Sequence, residues 1–249
     1  MRTREFIPEL EQPLDEIERL SPGEYPGGKA AIYDYVSSGR RPRGLTRVAG
    51  TRLLYNTVKQ GRELRIMMWD PQGPEARPQQ PQAIGFLTLE LADNIFPDPR
   101  ALEVGVITVD EDYRGQGIAR ALYTIALKNL GRTLVAGWGQ TPGGRRNWVS
   151  LANMPGVQVR GFLSIEDWDL NTNRITDIIM GKLGADYLGL AGSVRPRSRR
   201  VFAFDVQPGR TGRELEALIK TQLSRIYHGW GAEKIADFKT GLYAVWKKR

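Results

Sequence analysis

"VITVDEDYRGQGIARALYTIALKNLG", Val106 to Gly131, is the stretch on which the fold turns. β-branched residues run into an acidic turn at Asp110, Glu111 and Asp112. Arg114, Gly115 and Gly117 follow, and then Ile118, Leu122, Ile125 and Ala126 recur at helical spacing. The pattern predicts a strand, a turn and a helix that ends near Gly131. The N–H groups of a helix's first turn have no acceptor inside the helix and point outward together. They sit at the positive end of the helix dipole, where a phosphate can take several of them at once. Glycines let the backbone approach such an anion and accept unusual dihedrals. "YRGQGIA" therefore has the chemistry of a pyrophosphate cradle. It is not a dinucleotide fingerprint, because Arg120 stands where a third glycine belongs. It is not a nucleotide P-loop either, because no Gly-Lys-Ser/Thr ending follows.

Working outward, "TRLLYNTVKQGRELRIMMWD" reads as a hairpin about Lys59-Gln60-Gly61. "DPQGPEARPQQPQ" is a loop, "AIGFLTLELAD" a strand, "ADNIFPDPR" a turn and "ALEVGVITV" a strand. After the helix, "TLVAGWG" is a short buried strand, parallel to the one before the helix because a strand-helix-strand unit makes that crossover. "GGRRNWVSLAN" reads as turn then helix, and "VQVRGFLSI" as strand. The tail reads helix ("NRITDIIMGKLG"), strand ("RRVFAFDVQ"), helix ("GRELEALIKTQLSRIY") and strand ("TGLYAVWKK"). Near the N-terminus, "PLDEIERL" and Lys29 to Val36 are short helices.

The chain has 249 residues, 41% hydrophobic and 26% charged, enough for one large domain or two small ones. It contains no cysteine, which excludes a disulfide framework, a thiolate zinc site and a cysteine nucleophile. The single histidine, His228, makes a Ser-His-Asp triad or a multi-histidine metal site a poor expectation, and no metal is expected. The residue lies just after a helix, where its charge is favourable. The N-terminal residues lack a signal-peptide core, and no apolar run is long enough to cross a bilayer, so the expectation is a cytoplasmic protein without a membrane partner. Net charge is +8, with arginines grouped at 40, 41, 43, 47 and 52 and at 195, 197, 199 and 200. Such groups attract polyanions, although without interleaved aromatics they read first as solvated basic loops.

Arg114 to Ala119 spells R-x-x-G-x-A, preceded by a strand ending in "VDEDY" and followed by an apolar helix. This resembles the acetyl-CoA-binding motif of the GNAT superfamily of N-acetyltransferases. "NWVS" from Asn147 and "RGFLSI" from Arg160 resemble the start of a later family helix and the Gly-Phe pair that opens a late family strand. The resemblance covers roughly Thr46 to Ile165. It implies an α/β (α+β) fold: a mixed, mostly antiparallel sheet flanked by helices, with an N-terminal extension (1–45), an acyl-CoA-binding core (46–168) and a C-terminal extension (169–249) that completes the sheet or forms a small lobe. It also implies that the strand ahead of the motif splays from its parallel neighbour and that acetyl-CoA lies in the gap. Ile107 and Val109 would then meet the pantetheine arm, with a strand amide near Ile107 polarising the thioester carbonyl. Arg114 and the amides of Gly115, Gln116, Gly117, Ile118 and Ala119 would hold the pyrophosphate, with Asn147 also on the cofactor.

The implied reaction is acetyl transfer by direct attack of an amine in a ternary complex. Glu103, or Glu90 on the preceding strand, is the expected base. The family's tyrosine acid would fall at Met154 or Val157, and Tyr187, Tyr243 or a water are left open in its place. Tyr113 and Tyr123 are expected to pack the junction, and Trp138 and Trp148 to pack beside the cofactor groove. Acids group only near the N-terminus and in "IEDWD", Ile165 to Asp169. With the basic balance, this points to an amine acceptor carried on an acidic or nucleic-acid-associated partner. Two other readings stand beside it: a nucleic-acid-associated protein on a GNAT scaffold with little turnover, and an aminoacyl transferase using aminoacyl-tRNA.

Overall fold

The structure, a computed structural model, describes residues 32, 42–77, 80–93, 95–136, 140–166, 179–181, 184–191, 199–206, 214–215, 217, 221 and 238–247. The expected helix in "PLDEIERL", Trp138 and His228 lie outside them. So does the Lys29–Val36 helix except for Ile32, which is helical and buried. The two tail helices are described only at 179–181 and at 214, 215, 217 and 221, all helical.

The hairpin forms as the turn residues demand. β1 (Thr46–Arg47) pairs with β2 (Leu54–Gln60), and β2 with β3 (Glu63–Asp70). Gln60 faces Glu63 across a two-residue loop whose Gly61 has φ +58°, the left-handed conformation that tight hairpins need. β4 (Gln82–Leu91) and β5 (Ala101–Val109) extend the meander antiparallel. Helix α1 (Ile118–Thr124) continues as a π-turn over Ile125–Asn129 and carries the chain back to β6 (Thr133–Ala136), parallel to β5. Helix α2 (Pro142–Ala152), β7 (Val157–Glu166), β8 (Asp186–Ala191), β9 (Arg199–Phe204) and β10 (Phe238–Trp246) follow.

These strands form one sheet in the order β1-β2-β3-β4-β5-β6-β10-β7-β9-β8. It is a mixed, mostly antiparallel α/β sheet, and β5–β6 is its parallel pair among the described residues. β10 runs between β6 and β7, antiparallel to both. Gly161 and Phe162 fall in the middle of β7 rather than at its opening. β8 was not expected. It is six residues long, with Gly189 in its middle at φ +133°, and it lies at the sheet's edge with Tyr187 and Leu190 exposed. A glycine-interrupted edge strand carries little period-two signal.

Successive residues of the central strands divide between opposite faces. Leu102, Leu134, Leu242, Leu163 and Phe202 pack with Leu122, Tyr123, Ala126, Trp148 and Leu151 of the two helices. Their chain neighbours Ala101, Val135, Tyr243, Phe162 and Val201 belong to a second cluster, covered by Ala92, Ile95 and Phe96 of the β4–β5 connection. A third cluster joins Met67, Trp69, Ala83 and Phe86 to Ile32. Burial on both faces explains why these strands read as continuous apolar runs.

Helix α1 can sit against β4 because Gly85 lacks a side chain. A Cβ there would lie 2.9 Å from the Thr108 carbonyl oxygen and 3.3 Å from Ile118 Cγ2. Gly85→Ala should destabilise the fold by about 1–3 kcal/mol. Urea unfolding should show a lower midpoint with an unchanged slope, and a midpoint equal to the wild type would refute this packing account.

Candidate active site

β5 pairs with β6 only over Ala101–Val104, although it runs on to Val109. An irregularity in β5 marks the place. Leu89 faces Val104 and Leu87 faces Ile107, so β5 advances three residues while β4 advances two. The extra residue is a bulge, which raises the local twist and bends the strand. Thr88 fastens it: the Val106 N–H donates to Thr88 Oγ1 at 2.7 Å, and that hydroxyl donates to the Val106 carbonyl at 3.3 Å. A Cβ on Gly105 would come within 2.8 Å of the same hydroxyl. The Val106 and Asp110 N–H groups point toward β4. By alternation, those of Ile107 and Val109 point to the open side, toward the fork between β5 and β6.

The glycine loop stands at the mouth of the fork. Asp110 accepts from the Asp112 N–H and starts a single turn of 3-10 helix over Glu111–Tyr113. Gly115 and Gly117 have φ of +77° and +79°, and a Cβ at either would meet nothing within 4 Å. Backbone conformation, not crowding, requires these glycines, and the space in front of them is open. The first bond of α1 is from the Ala121 N–H to the Gly117 carbonyl, and no side chain caps Gly117. Among the described residues, the N–H groups of Gly115, Gly117, Ile118, Ala119 and Arg120 have no acceptor. The Gln116 N–H differs from the expected set: it turns back to the Tyr113 carbonyl at 3.4 Å, and its side chain donates to the Asp112 carbonyl. Arg114 is exposed and pairs with exposed Glu111 at 3.4 Å, a contact weak enough to yield to an anion. This run of outward donors fits a pyrophosphate.

The loop is held to the sheet by a carboxylate that sequence reading missed. Asp70, buried at the end of β3, accepts from Arg52 Nε (3.1 Å) and Nη2 (2.8 Å), from the Gln72 N–H (2.9 Å) and from the Tyr113 hydroxyl (3.1 Å). Burial pushes its pKa up, but these donors outweigh burial and hold it below its ordinary value. Burial and the bond to Asp70 push the Tyr113 hydroxyl up to about 12. Arg52, read first as part of a solvated basic loop, is therefore a structural partner. So is Arg199, which is buried and donates to Ser164 Oγ at 3.0 Å.

The two candidate bases meet. Glu90 and Glu103 are directly paired across β4 and β5, and Glu63 on β3 pairs with Glu90, so the three carboxylates form a rank on one face. Glu63 also pairs with Arg65. In the next strands the rank continues through Val135, Tyr243 and Arg160. Tyr243 is buried against Phe96, and burial pushes its hydroxyl up while nearby Arg160 pulls it down. Tyr187 lies on β8 at the sheet's far edge. Met154 packs in the helix-side core. Asn147 hydrogen-bonds the buried Tyr123 hydroxyl, whose pKa burial raises. Trp148 is a core residue beside Tyr123. Among the described residues, no group of three or more His, Cys, Asp or Glu is placed to hold a metal, and no helix is long and apolar enough to cross a membrane.

A sheet forked beside a glycine-opened helix start is the geometry on which the comparison with known proteins bears. Residues 70–134 match the model of the acetyltransferase (GNAT) family, and over that segment the chain carries a GNAT acetyltransferase domain. The segment runs from Asp70 through the bulge, the glycine loop and α1 to β6. The match supports acetyl-CoA-dependent acetyl transfer. Solved structures to which the chain is similar include a ribosomal-protein alanine N-acetyltransferase from Escherichia coli (13% identity, 60% of this chain and 74% of that one, TM-score 0.23). Another is an aminoglycoside N-acetyltransferase complexed with coenzyme A (13% identity, 60% and 76% of the chains, TM-score 0.24). A third is a GNAT-family chain from Bacteroides thetaiotaomicron (12% identity, 86% and 88%, TM-score 0.27). No curated protein matches the chain in sequence.

Replacing Asp70 by Asn should lower stability at neutral pH by about 1–3 kcal/mol, since it weakens bonds from a guanidinium and leaves a buried site imperfectly paired. Because the folded Asp70 pKa lies below the unfolded one, its contribution is lost as pH falls through the folded value. The gap between variant and wild type should therefore narrow below about pH 4. The raised Tyr113 pKa acts at the other end. Its contribution is present below about pH 10 and fades as pH rises toward about 12. Denaturant unfolding from acid to alkaline pH checks both limbs, and a gap that stays constant across the range would refute the assignment.

Proposed function

We propose that the protein is an acyl-CoA-dependent N-acetyltransferase that passes an acetyl group from acetyl-CoA to a primary amine, with both substrates bound together. The observation that carries this reading is the set of N–H groups of Gly115, Gly117, Ile118, Ala119 and Arg120, without an acceptor among the described residues, at the mouth of the β5–β6 fork. In the proposal, the amides of Gly115, Gly117, Ile118 and Ala119, with Arg114, hold the pyrophosphate. The Ile107 and Val109 amides line the fork. Asn147 acts through Tyr123, keeping α2 against α1. Bound acetyl-CoA supplies an activated thioester. An Ile107 N–H directed at its carbonyl oxygen would stabilise the charge that develops there. The amine nitrogen forms the new bond to the carbonyl carbon, the carbon–sulfur bond breaks with its electron pair going to sulfur, and coenzyme A leaves as the thiolate, which takes up a proton from water. Glu103 takes the proton that the amine loses, with Glu90 beside it. The carboxylate rank favours an acceptor whose amine is cationic in solution, since Glu90 and Glu103 lie side by side on the face it would approach.

Calorimetric titration tests the cofactor step. The wild type should bind acetyl-CoA, and Gly117→Glu should abolish binding by placing a carboxylate against the pyrophosphate. A wild type that ignores acetyl-CoA would sink this reading. A melting temperature raised by duplex DNA alone would then favour the nucleic-acid-associated alternative. For the base, thiol release should be followed with acetyl-CoA and a panel of primary amines (a peptide N-terminus, a lysine side chain, a polyamine and an arylamine). Glu103→Gln should lower kcat/KM by about 10²–10⁴ with acetyl-CoA affinity kept. Unchanged turnover in that variant would remove Glu103 from the chemistry.

A further inference from the structure

At the bulge of β5, one side chain stands in for a stretch of strand backbone. Leu87 faces Ile107 and Leu89 faces Val104, so Thr88 is opposite both Gly105 and Val106. The extra residue of a bulge is left without a ladder partner. Here Thr88 Oγ1 supplies both missing bonds, accepting from the Val106 N–H at 2.7 Å and donating to the Val106 carbonyl at 3.3 Å. Valine would fill the same volume and make neither bond, and serine could make both.

The bond to the carbonyl acts beyond the bulge. The Val106 C=O and the Ile107 N–H belong to one peptide unit, and in a planar trans peptide these two groups point in opposite directions. Holding the oxygen against Thr88, on the β4 side, aims the Ile107 N–H at the other edge of β5, which β6 leaves at Val104. A hydrogen bond accepted by the carbonyl also polarises the amide and strengthens its N–H as a donor. The glycine loop is held separately, by the Tyr113 hydroxyl on Asp70 and by the Asp110 N–H on the Ile84 carbonyl. The Thr88 hydroxyl thus controls one donor of the fork and leaves the anion-binding end alone. We propose that Thr88 is a positioning residue for acetyl transfer. Through the peptide between Val106 and Ile107, its hydroxyl aims the Ile107 N–H at the thioester carbonyl oxygen and strengthens it there. The inference rests on the acyl-CoA reading above.

Infrared difference spectra of bound acetyl-CoA, isotope-labelled at the thioester carbonyl, test it without an acceptor. The carbonyl band should move to lower frequency on binding to the wild type, and Thr88→Val should lose most of that shift while its calorimetric affinity for acetyl-CoA is unchanged. With a primary amine that the wild type acetylates, kcat should fall about 10- to 100-fold, short of the loss when an oxyanion donor is removed outright. The KM for acetyl-CoA should stay the same. Thr88→Ser should recover the band shift and most of the rate. Gly105→Ala keeps the hydroxyl but places a Cβ 2.8 Å from it, and it should show the same split between kcat and affinity. That variant carries the test if the valine variant does not fold. A full band shift in a variant that binds acetyl-CoA would overturn the Thr88 assignment alone. So would a serine variant that fails to recover, or affinity and kcat falling together, because the hydroxyl would then be serving the fold. A wild type that does not bind acetyl-CoA would remove both this inference and the function on which it rests.

Discussion

The bond between Thr88 and the backbone of Val106 is the contact on which the site depends. It holds one extra residue in β5, and that residue separates a sheet that is continuous below from one that is open above. Below the bulge, β5 and β6 share a ladder and a core. Above it, β5 keeps β4 as a neighbour and presents its other edge to the fork. A regular strand would carry the ladder with β6 further and leave no room for a ligand between them. Gly105 is the steric counterpart, since any side chain there would displace the hydroxyl that fastens the bulge.

Two further devices make the opening useful. The Asp70 network ties the end of β3 to the turn before the glycine loop, so that the loop's donors are held in place before a ligand arrives. Arg52 takes part from a largely exposed position, and its share is correspondingly screened. On one face of the sheet, Glu63, Glu90 and Glu103 form a line beside the apolar cluster of Ala101, Val135 and Tyr243. The anion-binding end and the carboxylate face are thus kept apart by the thickness of the sheet and the length of β5. The two ends of the site therefore do not share the same charged groups.

Much of this was legible in the sequence where the signal is local. The glycine loop, the hairpin at Gly61, the strand-helix-strand crossover and the mixed sheet all follow from residues close together in the chain. What escaped the sequence depends on pairing. Asp70 and Tyr113 stand 43 positions apart, and nothing in either neighbourhood marks them as partners. Glu63, Glu90 and Glu103 look scattered until strand register lines them up, which is why acids seemed to gather only near the N-terminus and in "IEDWD". Arg52 and Arg199 escaped for the same reason, because their partners lie far along the chain, whereas Arg43 and Arg47 are exposed as a solvated loop would have them.

The position of β10 has a consequence for how the molecule is made. This strand fills the slot between β6 and β7, yet it begins 72 residues after β7 ends, from Glu166 to Phe238. At ordinary rates of synthesis, about 5–20 residues per second, β6 and β7 are complete for about 4–14 s before their shared neighbour emerges. During that interval each presents an unpaired edge of apolar strand, the kind of surface that recruits wrong partners. The sheet can close only late, by insertion rather than by addition at an edge. Assembly of the nascent chain is therefore most vulnerable in its middle, and a chaperone that shields β6 and β7 during those seconds would raise the yield of folded protein more than one acting on the finished chain.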